Sequence, residues 1–140
     1  MIEIPIKPNN AKFNDDQWQA IHQSGSNILV AASAGSGKTT VLIERILTKI
    51  LNQSASIDEL LMVTFTEAAA KEMKDRMEAR LKDSLNMTKN PDQQRQIISQ
   101  LQKLPQADIR TLHSFCLKII EDFYYLTDIS ADFTLSLIHI

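Results

Sequence analysis

Two apolar runs, at 28–31 and 60–65, and a third strand-like stretch at 108–112 divide the chain into similar units. Continuous apolar runs of this length are typical of parallel strands that are covered on both faces. Each stretch is followed by small or polar residues and then by apolar residues at helical spacing. The pattern predicts an α/β fold, a parallel sheet with flanking helices, and a right-handed crossover between the first two strands.

The spacing of apolar residues predicts a short helix before the first strand, with Asn14 or Asp15 as its cap and its end near Gly25. Four further helices are predicted at 41–51, 66–82, 92–104 and 113–123. Their predicted apolar faces comprise Val41, Leu42, Ile46, Ile50 and Leu51; Ala69, Met73, Met77 and Leu81; Ile97, Ile98, Leu101 and Leu104; and Phe115, Ile119, Ile120 and Phe123. Residues 1–12 are predicted to be a flexible N-terminal segment, and 83–92 a surface loop.

The first predicted strand ends in small residues that have the composition of a phosphate-binding loop. Gly35 and Gly37 let backbone N–H groups approach the oxygens of a triphosphate. In the P-loop pattern the lysine reaches the β- and γ-phosphates and the next hydroxyl binds Mg²⁺, which assigns Lys38 and Thr39. The first position of the pattern holds Ala32 in place of glycine, so the alternative is a glycine-bearing turn with an exposed lysine. The candidate nucleotide-binding residues are Gln17, Ala31, Ala32, Ser33, Ala34, Gly35, Ser36, Gly37, Lys38, Thr39 and Thr40.

Polar and aromatic residues near the predicted strands are candidates for further contacts. The amide of Gln17 offers a donor and an acceptor together, which match the N6–H₂ and N7 groups of adenine. A solvated helix glutamine is the alternative. The hydroxyls of Thr64 and Thr66 follow the second strand, where helix N–H groups also favour a phosphate. Phe65 lies between them, and its residue type favours the core over stacking on a base.

His113 and Ser114 follow the third strand, and with Thr111 they are candidates to donate hydrogen bonds to a nucleic-acid backbone. Helix capping and packing are the alternative roles. The spacing gives His113 no recognisable nucleophile and aspartate for a hydrolytic triad, and cysteine and histidine are too scattered for a structural zinc site.

Composition narrows the class of protein. The 140 residues suffice for one core, and 44% hydrophobic and 23% charged residues are typical of a globular domain. The formal charge of −2 means that any nucleic-acid binding must depend on a local surface. Cys116 is the only cysteine, which we interpret as a buried apolar residue in a reducing compartment. No signal peptide or membrane span is indicated, so a cytoplasmic location is expected.

Four motifs in order resemble those of the superfamily 1, UvrD-like DNA helicases. They are FNDDQ at 13–17, AASAGSGKTT at 31–40, VTFTEAAAKEMKDRM at 63–77 and TLHSFC at 111–116. Within this family, TFTEAAA and the stretch QADIRTLHSFCLKIIEDFYYL are most similar to the AddA (RexA) group of ATP-dependent helicase/nuclease proteins, which act in double-strand-break repair. The resemblance covers residues 13–134.

The resemblance implies a truncated RecA-like lobe of the P-loop NTPase class that uses ATP and Mg²⁺. It implies that Gln17 contacts adenine, that 35–39 hold the phosphates, and that Lys38 and Thr39 serve the γ-phosphate and Mg²⁺. It also implies contacts to single-stranded DNA from Thr64, Phe65, Thr66, His113 and Ser114. This reverses the core preference for Phe65, and we expect the phosphate loop and the DNA-contacting strand ends to share one crevice.

The resemblance further implies a 3′-to-5′ helicase that acts on DNA ends with a partner of the AddB (RexB) type. Many relatives carry Asn-Lys where this chain has Glu67-Ala68, so no basic DNA contact is implied there. The acidic Mg²⁺ motif, the arginine finger, the second lobe and the nuclease are expected beyond Ile140, and the chain alone is expected to bind ATP weakly without hydrolysing it.

Residues 135–140 depart from the family pattern and are interpreted as a non-native tail, with a genuine alternating strand as the alternative. Two other functions remain compatible with the residues themselves. One is a different P-loop ATPase or a small-molecule kinase, and the other is a non-catalytic DNA-binding module in which the P-loop is structural.

Overall fold

The computed structural model describes residues 4–33, 35 and 37–128. Within them, the α-helices are α1 Asp15–His22, α2 Lys38–Leu51, α3 Glu67–Met87, α4 Pro91–Lys103 and α5 Leu112–Phe123. The strands are β1 Leu61–Thr64 and β2 Asp108–Thr111. Short 3₁₀ helices cover Ile57–Glu59, Leu104–Gln106 and Tyr124–Leu126. The predicted tail at 135–140 and the end of the predicted domain at 129–134 lie outside the described residues.

The two strands form a parallel sheet in which Leu61 pairs with Asp108 and Thr64 with Thr111. Helices α3 and α4 connect them, so the fold is mixed α/β with flanking helices. The second and third predicted strands are confirmed.

The strand predicted at 28–31 is wrong for this structure, because these residues belong to no strand. Leu29 is 94% exposed and Val30 is 48% exposed. A strand exists through hydrogen bonds to a neighbour, and among the described residues only β1 and β2 pair with each other. The crossover predicted from this strand to β1 is therefore not formed.

Side-chain caps explain where four of the helices begin. The side chain of Asn14 accepts from the Gln17 backbone N–H at α1, and that of Thr66 accepts from Ala69 at α3. Asn90 caps α4, and Thr111 caps α5. Each cap satisfies an N–H group that has no partner within its own helix.

The core lies between α2, α3, α4 and the sheet. Its most buried side chains are Ile50, Ile57, Met77, Leu81 and Ile97. A buried polar residue, Gln100, ties α4 to the segment before β1, since its Oε1 accepts from the backbone N–H of Ile57 at 2.8 Å. Helix α4 is therefore part of the core packing.

Three details differ from the sequence predictions. The loop predicted at 83–92 is mostly helical, because Leu85 continues the apolar face of α3 one turn beyond Leu81. Cys116 is exposed, since none of the residues of α5 is buried. Ala70, not Ala69, is buried on the core face of α3.

Four further residues of the predicted apolar faces are exposed: Leu42 at 39%, Ile98 at 43%, Ile119 at 42% and Phe123 at 48%. Among the described residues, no helix has the length and apolar content that a membrane span requires.

Candidate functional site

Helix α2 begins directly after a turn built from two glycines in the left-handed region. Gly35 has φ +77° and Gly37 has φ +81°, a conformation that is costly for residues with a Cβ. No side chain caps α2, in contrast to α1, α3, α4 and α5. The first N–H groups of α2 and the positive end of its dipole therefore remain available to an anion.

Lys38 is the first residue of α2, and its side chain bends back over the turn. Its Nζ donates to the carbonyl oxygens of Ala32 at 2.7 Å and Ser33 at 3.1 Å. Thr39 and Thr40 follow it with exposed side chains. The predicted site residues Ala34 and Ser36 lie outside the described residues.

Gln17 lies beside this turn. A Cβ added at Gly37 would be 3.6 Å from the side-chain nitrogen of Gln17, which is ordinary contact distance. The Oε1 of Gln17 accepts from the backbone N–H of Asn14 at 3.0 Å, which fixes the amide in the capping box of α1. The structure therefore brings Gln17 and the P-loop residues together, which the spacing along the chain alone did not establish.

A cleft of about 620 Å³ opens where α1, α2 and α3 meet. Its lining includes Phe13, Gln17, Gly37, Thr40, Arg76 and Arg80. This volume is within the range of small-molecule and cofactor sites. A second cavity of about 190 Å³ is lined by Gln17, Ala31, Ala32 and Lys38, among others.

Two arginines of α3, Arg76 and Arg80, line the larger cleft. Neither was among the site residues predicted from the sequence. Arg80 Nε contacts Glu44 Oε1 at 2.6 Å, and this hydrogen bond raises the pKa of the Arg80 guanidinium. Arg76 forms an ion pair with Glu72 on its own helix. Their i, i+4 spacing places both arginines on one face of α3, and this spacing is the sequence feature that could have predicted a shared basic surface.

Arg45 of α2 holds the end of α1 in place. Its Nη1 donates to the carbonyl oxygens of Ala20 at 2.7 Å, Ile21 at 3.3 Å and Gln23 at 2.6 Å. These carbonyls lie at the C-terminal end of α1, where a cation is favourable. The contact thereby fixes the helix that carries Gln17 against the helix that carries Lys38.

We expect Arg45→Ala to lower the free energy of unfolding by about 1.5–3 kcal/mol, the usual contribution of hydrogen bonds to a charged group. Urea denaturation followed by circular dichroism measures the change. Arg95→Ala on α4, whose side chain is 81% exposed, serves as the control. Equal stability of the two variants would show that Arg45 contributes no more than a surface arginine.

The carboxyl ends of β1 and β2 bring the second group of predicted residues together. Because Thr64 pairs with Thr111 in a parallel sheet, 65–66 and 112–114 follow at the same edge. Phe65 and His113 are exposed there, and the Phe65 ring is fully so. The position of Phe65 agrees with the resemblance and contradicts the core preference drawn from its residue type.

The hydroxyls at this edge are already engaged within the chain. Thr64 Oγ1 donates to the carbonyl oxygen of Thr66 at 3.0 Å, and Thr66 Oγ1 accepts from the backbone N–H of Ala69 at 3.1 Å. Ser114 donates its backbone N–H to Thr111 Oγ1 at 3.1 Å. The capping role that was the alternative for 111–114 is therefore present at Thr111.

The cavities beside the glycine turn do not support the expectation of a single crevice. The cavities that contain Gln17 or Lys38 are lined by no residue of 64–66 or 113–114. One physical reason is that 28–31, which would join the phosphate loop to the sheet, pairs with neither strand. The residues predicted to bind nucleotide thus line cavities that the strand-end residues do not reach.

The family model of the UvrD/REP helicase N-terminal domain matches residues 13–137. An ATP-dependent helicase/nuclease subunit from Enterococcus faecalis is 50% identical over 130 residues, which are 93% of this chain and 10% of that protein. Its namesake from Ligilactobacillus salivarius is 53% identical over 125 residues, 89% of this chain and 10% of that protein. The protein of the same name from Listeria monocytogenes serotype 4b is 49% identical over 136 residues, which are 96% of this chain and 11% of that protein. The chain spans about a tenth of the length of these curated relatives.

Proposed function

The chain belongs to the UvrD/REP helicase N-terminal domain family, and on this premise we propose that it forms the ATP-binding part of a DNA helicase/nuclease. In this proposal the sheet and its helices belong to a RecA-like lobe of the P-loop class. The observation that carries it is the position of the Gln17 side chain beside the glycine turn from which Lys38 begins α2. A nucleotide site requires a group that recognises the base close to a loop that binds the phosphates.

The residues of the turn fit a triphosphate. The uncapped N-terminus of α2 supplies N–H donors, and the glycines leave room for phosphate oxygens. Lys38 would exchange its contacts with Ala32 and Ser33 for the β- and γ-phosphates. Thr39 is the residue that would hold Mg²⁺, an ion that neutralises charge on the phosphates when bound. Gln17 would read adenine from the neighbouring helix.

We further propose that the strand-end residues contact single-stranded DNA. Thr64, Phe65 and Thr66 share the sheet edge with His113 and Ser114, and the exposed Phe65 ring offers a stacking face that suits any base. ATP binding and hydrolysis in the whole protein would open and close two lobes and so step DNA past Phe65 and His113.

The relatives are named as subunits of an ATP-dependent helicase/nuclease, which supports an assembly of more than one chain. We propose that the whole protein acts at DNA ends with an AddB (RexB)-type partner, moves 3′ to 5′ and works in the cytoplasm in double-strand-break repair. The chain by itself would bind ATP weakly and would not turn it over.

Replacing Phe65 with alanine is expected to weaken binding of single-stranded DNA by about 5- to 150-fold, because stacking on one aromatic side chain contributes about 1–3 kcal/mol per base. Fluorescence anisotropy with a labelled oligonucleotide measures the affinity. Phe123→Ala is the matched control, since Phe123 is a phenylalanine that is about half exposed but lies at the far end of α5. Equal affinities for Phe65→Ala and Phe123→Ala would refute the proposed DNA contact.

A further inference from the structure

A side-chain hydrogen bond joins the two strand-end segments. Thr111 Oγ1 donates to the Glu67 carboxylate at 2.9 Å. Glu67 is the first residue of α3, which follows β1, and Thr111 is the last residue of β2 and the cap of α5. The contact therefore links the starts of two helices that leave the same edge of the sheet.

The Thr111 hydroxyl is used twice. While it donates to Glu67, its oxygen accepts the backbone N–H of Ser114 at 3.1 Å. Because donation to a carboxylate makes the hydroxyl oxygen a better acceptor, the two bonds strengthen each other. Thr111 is 8% exposed, so its bonds compete little with water.

The Glu67 side chain does not interact with the N-terminus of its own helix in the way that is usual for a first-turn carboxylate. A carboxylate in the first turn commonly interacts with the free N–H groups of that turn. In α3 the cap is supplied by the Thr66 hydroxyl, which accepts from Ala69, and the Glu67 carboxylate turns toward the neighbouring strand instead.

We propose that Glu67 and Thr111 form a strut that fixes 64–66 and 111–114 relative to each other and so presets the surface for a nucleic-acid backbone. The backbone pairing of Thr64 with Thr111 sets the spacing of the strands, and the strut sets the directions in which the two helices start. Both are positioning residues, and neither needs to touch the ligand. The inference rests on the proposed DNA contact at this edge.

The negative charge of Glu67 allows a positioning role to be distinguished from a direct electrostatic effect on DNA. A carboxylate near a phosphate backbone repels it, so a direct electrostatic role would make every removal of the charge favourable. A strut instead requires an acceptor at this position and not a charge. The two explanations predict opposite results for Glu67→Ala.

The test measures the affinity of the chain for a fluorescein-labelled single-stranded oligonucleotide of about 15 nucleotides, at two salt concentrations. We expect Glu67→Ala to weaken binding by about three- to tenfold, in line with the loss of one hydrogen bond. Thr111→Val should weaken it at least as much, because it also removes the bond that caps α5. Thr111→Ser and Glu67→Gln keep a donor and an acceptor, and they should stay within about twofold of the unsubstituted chain or bind tighter. The double variant Glu67→Ala/Thr111→Val should bind DNA no more weakly than Thr111→Val alone, because Thr111→Val already removes the bond to Glu67.

Asn90→Ala is the control for a general loss of stability. It removes the cap of α4, which does not lie at this edge of the sheet. It should lower the melting temperature without changing DNA affinity. Equal weakening by Asn90→Ala and Thr111→Val would overturn the strut, as would additive losses in the double variant or tighter binding by Glu67→Ala. If the unsubstituted chain binds no DNA, the proposed function fails and the strut with it. If the chain binds and responds to Phe65→Ala but not to Thr111→Val, only the strut is wrong.

Discussion

Lys38→Ala is expected to reduce DNA-stimulated ATP hydrolysis in the full-length protein by about 10²–10³-fold, the usual loss when a charged group that stabilises the transition state is removed. Lys38 is the cation that lies over the glycine turn, where its Nζ is held by the carbonyls of Ala32 and Ser33. Its removal would leave the developing charge on the γ-phosphate without this partner. A coupled ATPase assay with and without single-stranded DNA measures the change.

The control for this experiment is Lys49→Ala. Lys49 belongs to the same helix but lies in its last turn, so its replacement tests for a general effect on α2. Its activity should remain close to that of the unsubstituted protein. Retention of DNA-dependent ATPase by Lys38→Ala would contradict the role assigned to Lys38.

Met77→Ala is expected to lower the free energy of unfolding by about 2–5 kcal/mol, since it deletes a fully buried side chain and leaves a cavity. Met77 packs in the core face of α3, where Met73 and Leu81 lie one turn to either side. A loss of this size is a large part of the stability of a typical domain. Chemical denaturation of the chain measures it.

The chain supplies its own control on the same helix. Met87 is 83% exposed at the end of α3, so Met87→Ala should change stability by no more than about 0.5 kcal/mol. Similar losses for the two methionine variants would mean that α3 does not pack with the buried face described above.

Short-range sequence features were enough to predict β1, β2 and the helices that follow them. Thr66 directly follows the strand-like stretch at 60–65, and Thr111 lies near the end of the stretch at 108–112. Both residues cap the helix that comes next. The stretch at 28–31 has an equally apolar sequence but forms no strand. Apolar character describes the surface that a segment offers, whereas a strand also needs a partner, which lies elsewhere in sequence.

The same distinction applies to the site. The pattern around Lys38 predicted the glycine turn and the helix start that follows it, because these residues are neighbours in sequence. The approach of Gln17 to Gly37 depends on how α1 packs on α2, and Arg45 contributes to that packing through three carbonyls of the α1 terminus. The link between Glu67 and Thr111 joins residues 44 positions apart, and no local pattern predicts such a pair.

The most direct test of the nucleotide site is a titration of the ¹⁵N-labelled chain with Mg-ATP, followed by the amide resonances of the backbone and of Gln17. We predict saturable shifts at Gly35, Gly37, Lys38 and Thr39 and at the side-chain amide of Gln17, with a weak Kd of about 1 mM or below. Shifts confined to other surfaces, such as the polar cavity around 53–59 and α4, would contradict this assignment. So would resonances of the glycine turn that do not respond to nucleotide at all.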